Sequence, residues 1–486
     1  MKDASLLWFR QDLRLADNPA LQAAIQRGAV IPVFIHAPEE EAPWQPGGAS
    51  NWWLHQSLVA LGEQLKECRS RLVIRRGPTL ETLQDLVQES GARAVFWNRR
   101  YEPAVIARDA KIKEALRAGG LQAESFNGAL LHEPWTVQNL SGNPFQIFTP
   151  FWKHCLAKPD PIGPSPGPRR LPAPQTWSDS ASINSLGLEP RTDWAQGIGA
   201  AWKPGEVGAL ENLRRFLDDA FDNYTDARNR PDLAATSRLS PHLHFGEISP
   251  RQIWQGLKEM AEKRGHPTEQ WRNSQYAAEL GWREFAHHLL FHFSNTPTEP
   301  LRAGFKEFPW RKGKITLRAW QNGQTGYPMV DAGMRELWAT GWMHNRVRMI
   351  VASFLVKDLL LSWQEGAKWF WDTLVDADLA QNTLGWQWAA GCGADAAPYF
   401  RVFNPVTQGE KFDPHGNYVR RWCPELATLP EKWIHRPHEA PADMLEHAGV
   451  KLGRDYPSPV VNHAAARDGA LQAFAQISKT RTENKS

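Results

Sequence analysis

The sequence predicts a molecule in two parts: an α/β Rossmann-like parallel-sheet domain at the N-terminus and an all-α domain at the C-terminus. Three features carry that expectation. Strand-length apolar runs alternate with helical periodicities through residues 1–130, a proline-dense tract follows at Lys158–Arg170, and beyond about Gly205 apolar positions recur at intervals of three and four. A length of 486 residues suits more than one core, because single cores stop growing at about 250–300 residues.

In chain order, Ser5–Arg10 reads as a strand and Asn18–Arg27 as a helix opened by Asp17-Asn18-Pro19. Ala29–His36 is a β-branched apolar strand, and Asn51–Arg69 has helical periodicity through Trp53, Leu54, Leu58, Leu61 and Leu65. The strand Leu72–Arg76, helix Thr79–Glu89, strand Ala94–Asn98 and helix Ala104–Ala118 extend a series that gives a parallel sheet covered on both faces. No GxGxxG follows the first strand, so the dinucleotide fingerprint is missing. The tract KPDPIGPSPGPRR cannot hold a helix or a central strand and reads as a connector. The expected boundaries are 1–130 for the α/β domain, 131–204 for the connector and 205–480 for the helical domain. Within the last, Val330, Met334, Leu337, Trp338 and Trp342 repeat as one apolar stripe.

Composition narrows the class. With 42% hydrophobic and 22% charged residues the chain is of the soluble globular type. The apolar run Met349–Val356, between Arg348 and Lys357, is far short of the ~20 residues that span a bilayer. Arg10 and Asp12 interrupt the N-terminal apolar stretch, so no signal peptide is visible and the cytoplasm is expected. Cys68, Cys155, Cys392 and Cys423 stand far apart, which indicates neither a disulfide framework nor a zinc site. A net charge of +3 selects no partner. The unusual number is 24 tryptophans against 7 tyrosines, an excess concentrated in the helical half.

Several segments offer chemistry. In Thr236-Ser237-Arg238-Leu239-Ser240-Pro241, two hydroxyls and an arginine precede a helix start, with Ser240 as cap; they suit a phosphate or a plain capping turn, and Ser249-Pro250 repeats the cap alone. Glu279, Trp282 and Arg283 share a helix face, either as a site for a planar hydrogen-bonding ligand or as a salt bridge over a core tryptophan. His288 and His292 have metal spacing without the HExxH glutamate, so ordinary histidines are expected. In GWMHNRVRM, read as helix, Trp342, Asn345 and Met349 share a face flanked by Arg346 and Arg348. Asp376 or Asp378 could neutralise Arg348; a divalent metal on that DxD is the rival and lacks a third acidic ligand.

These segments, with the opening LLWFRQDLRLADNPAL, resemble the photolyase/cryptochrome family. The matching motifs include TSRLS, WREF (Trp282–Phe285), GYPMVDAGMREL (Gly326–Leu337), GWMHNRVRM, DADLAQN, GWQWAAG and DAAPYFRVFNP (Asp395–Pro405), in family order along nearly the whole chain. The resemblance implies FAD in the helical domain and a second, light-harvesting chromophore. It implies that Tyr224, Thr236, Ser237, Arg238, Leu239 and Ser240 hold the flavin phosphates and ribityl chain. Tyr276, Glu279, Arg283, Asn345, Arg348, Asp376, Asp378 and Asn382 complete the flavin set, with Arg348 paired to Asp376 and Asn382 at flavin N5.

The same resemblance implies repair of cyclobutane pyrimidine dimers in UV-damaged DNA by blue-light-driven electron transfer from FADH−. Trp282 and Trp388 would clamp the dimer, Glu279 would hydrogen-bond its bases, Asn345 and Met349 would line the pocket, and Arg346 and Arg401 would contact phosphates. Trp386, Trp363 and Trp310 would relay electrons to the flavin, with Trp369 and Trp371 as a branch or as core. SNWWLHQSL, LLHEPW and GNPFQIFTPFW resemble the class III group, which binds methenyltetrahydrofolate. Ala104 and Val105 replace the Asn-Glu pair of the enteric enzymes, so the folate contacts would differ and include Trp53 and Glu133; a deazaflavin is the alternative. A monomer with no membrane or protein partner is expected. The rival is a blue-light receptor on the same scaffold; Asn382, where plant cryptochromes have aspartate, favours repair.

Overall fold

Five parallel strands build the N-terminal sheet of the computed structural model, which describes residues 4–399 and 401–483. β1 (Ala4–Phe9), β2 (Ala29–His36), β3 (Val73–Arg76), β4 (Ala94–Asn98) and β5 (Gln122–Phe126) lie in the order β3-β2-β1-β4-β5. The crossovers contain α1 (Pro19–Arg27), α2 (Gly48–Glu67), α3 (Thr79–Ser90) and α4 (Pro103–Ala118). Asn18 caps α1 through its side-chain oxygen, which accepts from the Leu21 amide at 3.0 Å. Leu6, Trp8, Ile31, Val33, Val73, Val95 and Trp97 pack with Leu83, Leu86, Ile112 and Leu116 as one core. The alternation within β1 and β2 puts these side chains on one face.

β5 departs from the expectation, which had no strand after Ala118. Gln122-Ala-Glu-Ser-Phe has no apolar run because it is an edge strand, paired only with β4 from Ala94↔Gln122 to Asn98↔Phe126.

The strand order reverses between β1 and β4, and the chain fills the crevice at their carboxyl ends with its own polar groups. The Arg10 guanidinium pairs with Asp109 at 2.5 Å and donates to the Asn98 carbonyl. The Asn98 amide donates to Asp12 and Asn18 at 2.7 Å each. Arg10, Asp12, Asn18 and Asn98 are all buried.

Two units divide the chain. The first takes in residues up to Phe221, Ser237–Ser294 and Val375–Leu379; the second takes in Asp222–Thr236, Asn295–Leu374 and the chain from Ala380 onward. In the first, residues 157–182 hold neither helix nor strand. This proline tract is ordered by backbone bonds: the amides of Asp17 and Val30 donate to Ser165 and Pro172, and Leu171 donates to Cys68. Helix Gln275–His292 seats on helix Phe148–Leu156, and Gly281 makes the approach possible, since a Cβ there would lie 2.6 Å from the Trp152 ring. Of the two Ser-Pro signals, Ser249 is the true cap of helix Pro250–Arg264. It forms a capping box with Gln252 and donates to Asp17 at 2.5 Å. Ser240 does not cap: the short helix begins at Ser240 itself, because Leu239 already has helical angles.

The second unit is helical. Helix Pro328–Thr340 buries Val330, Met334 and Leu337, whereas Trp338 is 57% exposed and stacks on Trp369 at 6.1 Å. GWMHNRVRM is not one helix, and Trp342 does not share a helix face with Asn345. Gly341, at φ 66°, ends the preceding helix, and helix Asn345–Ser353 starts afresh with the His344 imidazole accepting from the Arg346 amide at 3.2 Å. Among the described residues no helix is long and apolar enough to cross a membrane.

Candidate functional site

In the first unit the candidate residues gather on helix Gln275–His292, capped by Ser274. Its 3.6-residue repeat aligns Glu279, Trp282 and Arg283. Trp282 lies flat on Phe148, with ring centroids 3.8 Å apart and planes at 9°, and remains partly exposed. Glu279 accepts from Gln275 at 2.8 Å. The Arg283 guanidinium is buried, donates to the Ala129 carbonyl at 2.7 Å and lies 3.8 Å from Glu284. Tyr276 packs on Phe216 at 4.2 Å and bonds to Ser237; burial pushes its phenol up.

The Ser237-Arg238-Leu239-Ser240 turn is shaped by Arg238, which adopts a left-handed φ of 54°. Its guanidinium lies 4.0 Å from the Trp202 ring, a cation–π contact. Leu239 is buried, while Ser237, Arg238 and Ser240 are partly exposed.

Asp376 and Asp378 close this group. The Asp378 amide donates to the Asp376 carbonyl at 2.7 Å. The Asp378 carboxylate lies 3.3 Å from His287 Nε2 and 4.0 Å from His244 Nδ1. Burial alone would raise the Asp378 carboxyl, but His287 foremost, then His244 and Arg283, hold it well below the usual carboxylate range.

In the second unit, Tyr224 is buried and lies 5.7 Å from the Arg228 guanidinium, and Thr236 is partly exposed. Asn345 is exposed at the start of its helix, with Met349 one turn on and partly exposed. Arg346 grips the Asn229 side-chain oxygen at 2.6 and 3.1 Å and lies 4.4 Å from the Phe412 ring. Arg348 donates to the Met343 carbonyl at 2.8 Å. Burial, then Arg346 and Arg348, push the His344 imidazole down to about 3, which suits its role as a neutral acceptor cap.

Helix Leu379–Ala390 carries Asn382 and Trp386 on one face. Both meet helix Trp363–Thr373: Asn382 donates to the Ala367 carbonyl at 3.0 Å, and the Trp386 ring lies where a Gly366 Cβ would be, 2.0 Å away. Trp363 opens that same helix, one turn before Gly366. Trp386 and Trp363 are each 2% exposed, and Trp386 also packs on Phe370 and Trp320. Gln387 points elsewhere, binding the Thr296 and Glu299 carbonyls and the Leu301 amide, while Trp388 is partly exposed. Trp310 is partly exposed against Phe308 at 4.3 Å. Arg401 is exposed, and its carbonyl accepts from the buried Lys357 ammonium at 2.8 Å.

The two antenna contacts fare differently from their expectation. Trp53 is fully buried, its N–H donates to Glu247 at 3.0 Å, and Trp202, His242 and Phe245 cover its ring. It has no face for a ligand. Glu133 is engaged by Arg99 and by the Tyr101 hydroxyl.

Sequence reasoning passed over Phe148, His287 and Gly366. Only His287 left a signal, its i+4 spacing from Arg283, and the run His287-His288 with His292 drew attention to metal spacing instead.

Residues 5–175 match the family described as DNA photolyase, and residues 276–476 match the FAD binding domain of DNA photolyase. The deoxyribodipyrimidine photo-lyase of Agrobacterium fabrum is 49% identical over 477 residues, covering 98% of this chain and 98% of that protein. Cryptochrome-1 of Arabidopsis thaliana is 41% identical over 487 residues, covering 97% of this chain and 70% of that protein. The crystal structure of a bacterial class III photolyase from Agrobacterium tumefaciens is similar with a TM-score of 0.95 and 48% identity, covering 99% of this chain and 98% of that one.

Proposed function

The chain belongs to the photolyase/cryptochrome family, and from that premise we propose that it is a deoxyribodipyrimidine photolyase, which splits cyclobutane pyrimidine dimers in UV-damaged DNA under blue light. The observation that carries the reading is its 49% identity, over 98% of both chains, with a protein of that name.

The residues suit a flavin nucleotide. Thr236, Ser237, Arg238 and Ser240 are partly exposed donors of the kind a diphosphate needs, and the Leu239 backbone and the Tyr224 and Tyr276 phenols would join them. Asp378, kept ionised, would accept from a ring N–H; Asn382, its amide oriented by Ala367, would present a neutral group; Glu279, Arg283, Asn345, Arg348 and Asp376 would complete the set. When bound and reduced, FAD supplies on excitation the electron that opens the cyclobutane ring and takes it back afterwards.

The protein's own work is to seize the lesion and keep the flavin reduced. Trp282, pinned flat by Phe148, offers its outer face to the dimer, with Trp388 as the second clamp. Glu279 receives the base edges, and Asn345 and Met349 form a partly exposed wall. A dimer is already poorly paired, so extruding it costs less than extruding intact thymine. Arg346 and Arg401 hold flanking phosphates. Trp386, Trp363 and Trp310 carry electrons inward; the first two are buried and the third is partly exposed. Trp369, stacked on the exposed Trp338, is a surface pair.

Methenyltetrahydrofolate would serve as the antenna, on contacts other than Trp53; it would be read as an absorbance band distinct from that of flavin in the purified protein. The protein acts as a cytoplasmic monomer. The deciding experiment mixes protein carrying fully reduced flavin with a dimer-containing oligonucleotide, with and without blue light. Dimers that persist under illumination would falsify the repair reading and leave the receptor reading, which the 41% identity with a plant cryptochrome supports.

A further inference from the structure

His287 sits mid-helix, one turn beyond Arg283, and is 7% exposed. Its Nδ1 lies 3.0 Å from the Arg283 carbonyl oxygen. A carbonyl only accepts, so Nδ1 carries a hydrogen. Its Nε2 lies 3.3 Å from Asp378, whose side chain is 13% exposed. A neutral imidazole protonated at Nδ1 would turn a lone pair at Nε2 toward a carboxylate lone pair. That contact is favourable only with a proton between them.

The surrounding charges decide where this proton sits. Arg283 stands on the same helix, with Glu284 beside it, and Asp376 lies two residues before Asp378. From the short helix Ser240–His244, His244 approaches the same Asp378 oxygen at 4.0 Å, but burial drives its imidazole below the ordinary range. From the loop before α4, Glu102 is an acid felt at Asp378, and Arg100 neutralises it at 2.9 Å while also holding Glu41. The Tyr101 ring meets His287 edge-on at 6.3 Å. Of the two imidazoles that reach Asp378, His287 is the nearer, at 3.3 Å against 4.0 Å for His244. Burial would lower its imidazole, but Asp378 raises it above the ordinary value.

We propose that His287 is a positioning residue for the flavin, acting through Asp378: the shared proton keeps the carboxylate charged and fixes its direction, and its loss at alkaline pH loosens the flavin. This rests on the reading that Asp378 meets the flavin. The sign follows from linkage. A histidine raised by its partner holds that partner fully below the ordinary imidazole range and lets go as pH rises through the raised value.

The test measures FAD release from the holoprotein by flavin fluorescence, from the ordinary imidazole range upward, in wild type, His287→Gln, His287→Leu and Asp378→Asn, with thermal melting to confirm folding. Glutamine keeps a donor near the Nε2 position and does not titrate. Wild type should release FAD increasingly as pH rises. His287→Gln should hold FAD near the neutral wild-type level with a flattened pH profile, and His287→Leu should bind it about ten- to a hundredfold more weakly. If His287→Leu holds FAD like wild type while Asp378→Asn releases it, the role of His287 is overturned and the place of Asp378 stands. If Asp378→Asn itself retains FAD with wild-type affinity, the flavin contact fails and the inference with it. Should His287→Leu not fold, imidazole nitrogen NMR of wild type decides: an unprotonated Nε2 on His287 at neutral pH overturns the proposal.

Discussion

Trp282 owes its usefulness to Phe148. An indole alone on a surface rotates; one stacked at 3.8 Å keeps a fixed outer face. Stacking of a base on an aromatic side chain contributes about 1–3 kcal/mol. Trp282→Ala should therefore weaken binding to dimer-containing DNA by about ten- to a hundredfold, measured by mobility shift, with FAD retained. Release of FAD by the variant would instead make Trp282 a core residue. Lys357 invites a different measurement. Burial lowers its ammonium to about 8, with Asp358 opposing. The unfolded chain thus binds more protons than the folded one between about 8 and the ordinary lysine value, and stability attributable to Lys357 rises with pH there. Urea unfolding of wild type and Lys357→Met should show the difference moving toward wild type across that window, by roughly 3 kcal/mol at most. Spacing alone exposed the Glu279–Trp282–Arg283 face, because i, i+3 and i+4 is a local property. It did not expose His287 or Phe148, whose partners are 91 and 134 residues away in sequence.

Helix Leu379–Ala390 and helix Trp363–Thr373 touch where one has glycine and the other tryptophan. Gly366→Ala would set a methyl 2.0 Å from the Trp386 ring. The expected cost is about 1–3 kcal/mol in thermal stability, with slower photoreduction of oxidised flavin because Trp386 is displaced. Unchanged photoreduction in a folded variant would remove Trp386 from the relay. Ser249→Ala breaks a capping box and should lose about 1 kcal/mol, whereas Ser240→Ala should lose less from capping, since the cap position of its helix is Leu239. The two Ser-Pro dipeptides look alike in sequence. They differ in structure because Arg238 turns left-handed ahead of one of them, a fact of tertiary packing. Similarly, strands β1 to β4 were legible because each is a buried apolar run, and β5 was not, because an edge strand can be polar. The break at Gly341–His344 was also hidden: histidine is an uncommon cap, and the apolar repeat runs through it.

At the scale of the molecule, a net charge of +3 leaves DNA attraction to a few placed cations. Arg346→Ala and Arg401→Ala should each reduce the slope of log affinity against log salt by about one, for damaged and undamaged DNA alike. A slope unchanged in both variants would move the phosphate contacts elsewhere. The N-terminal sheet bears on the protein in another way. Its order reverses between β1 and β4, where doubly wound folds commonly lodge a nucleotide, yet here Arg10, Asp12, Asn18 and Asn98 are buried at that point and bonded to one another. The crevice is instead a clasp: Asn98, at the end of β4, ties down the chain that leaves β1 at Arg10, Asp12 and Asn18, so Asn98→Ala should loosen the sheet itself and leave the flavin where it is.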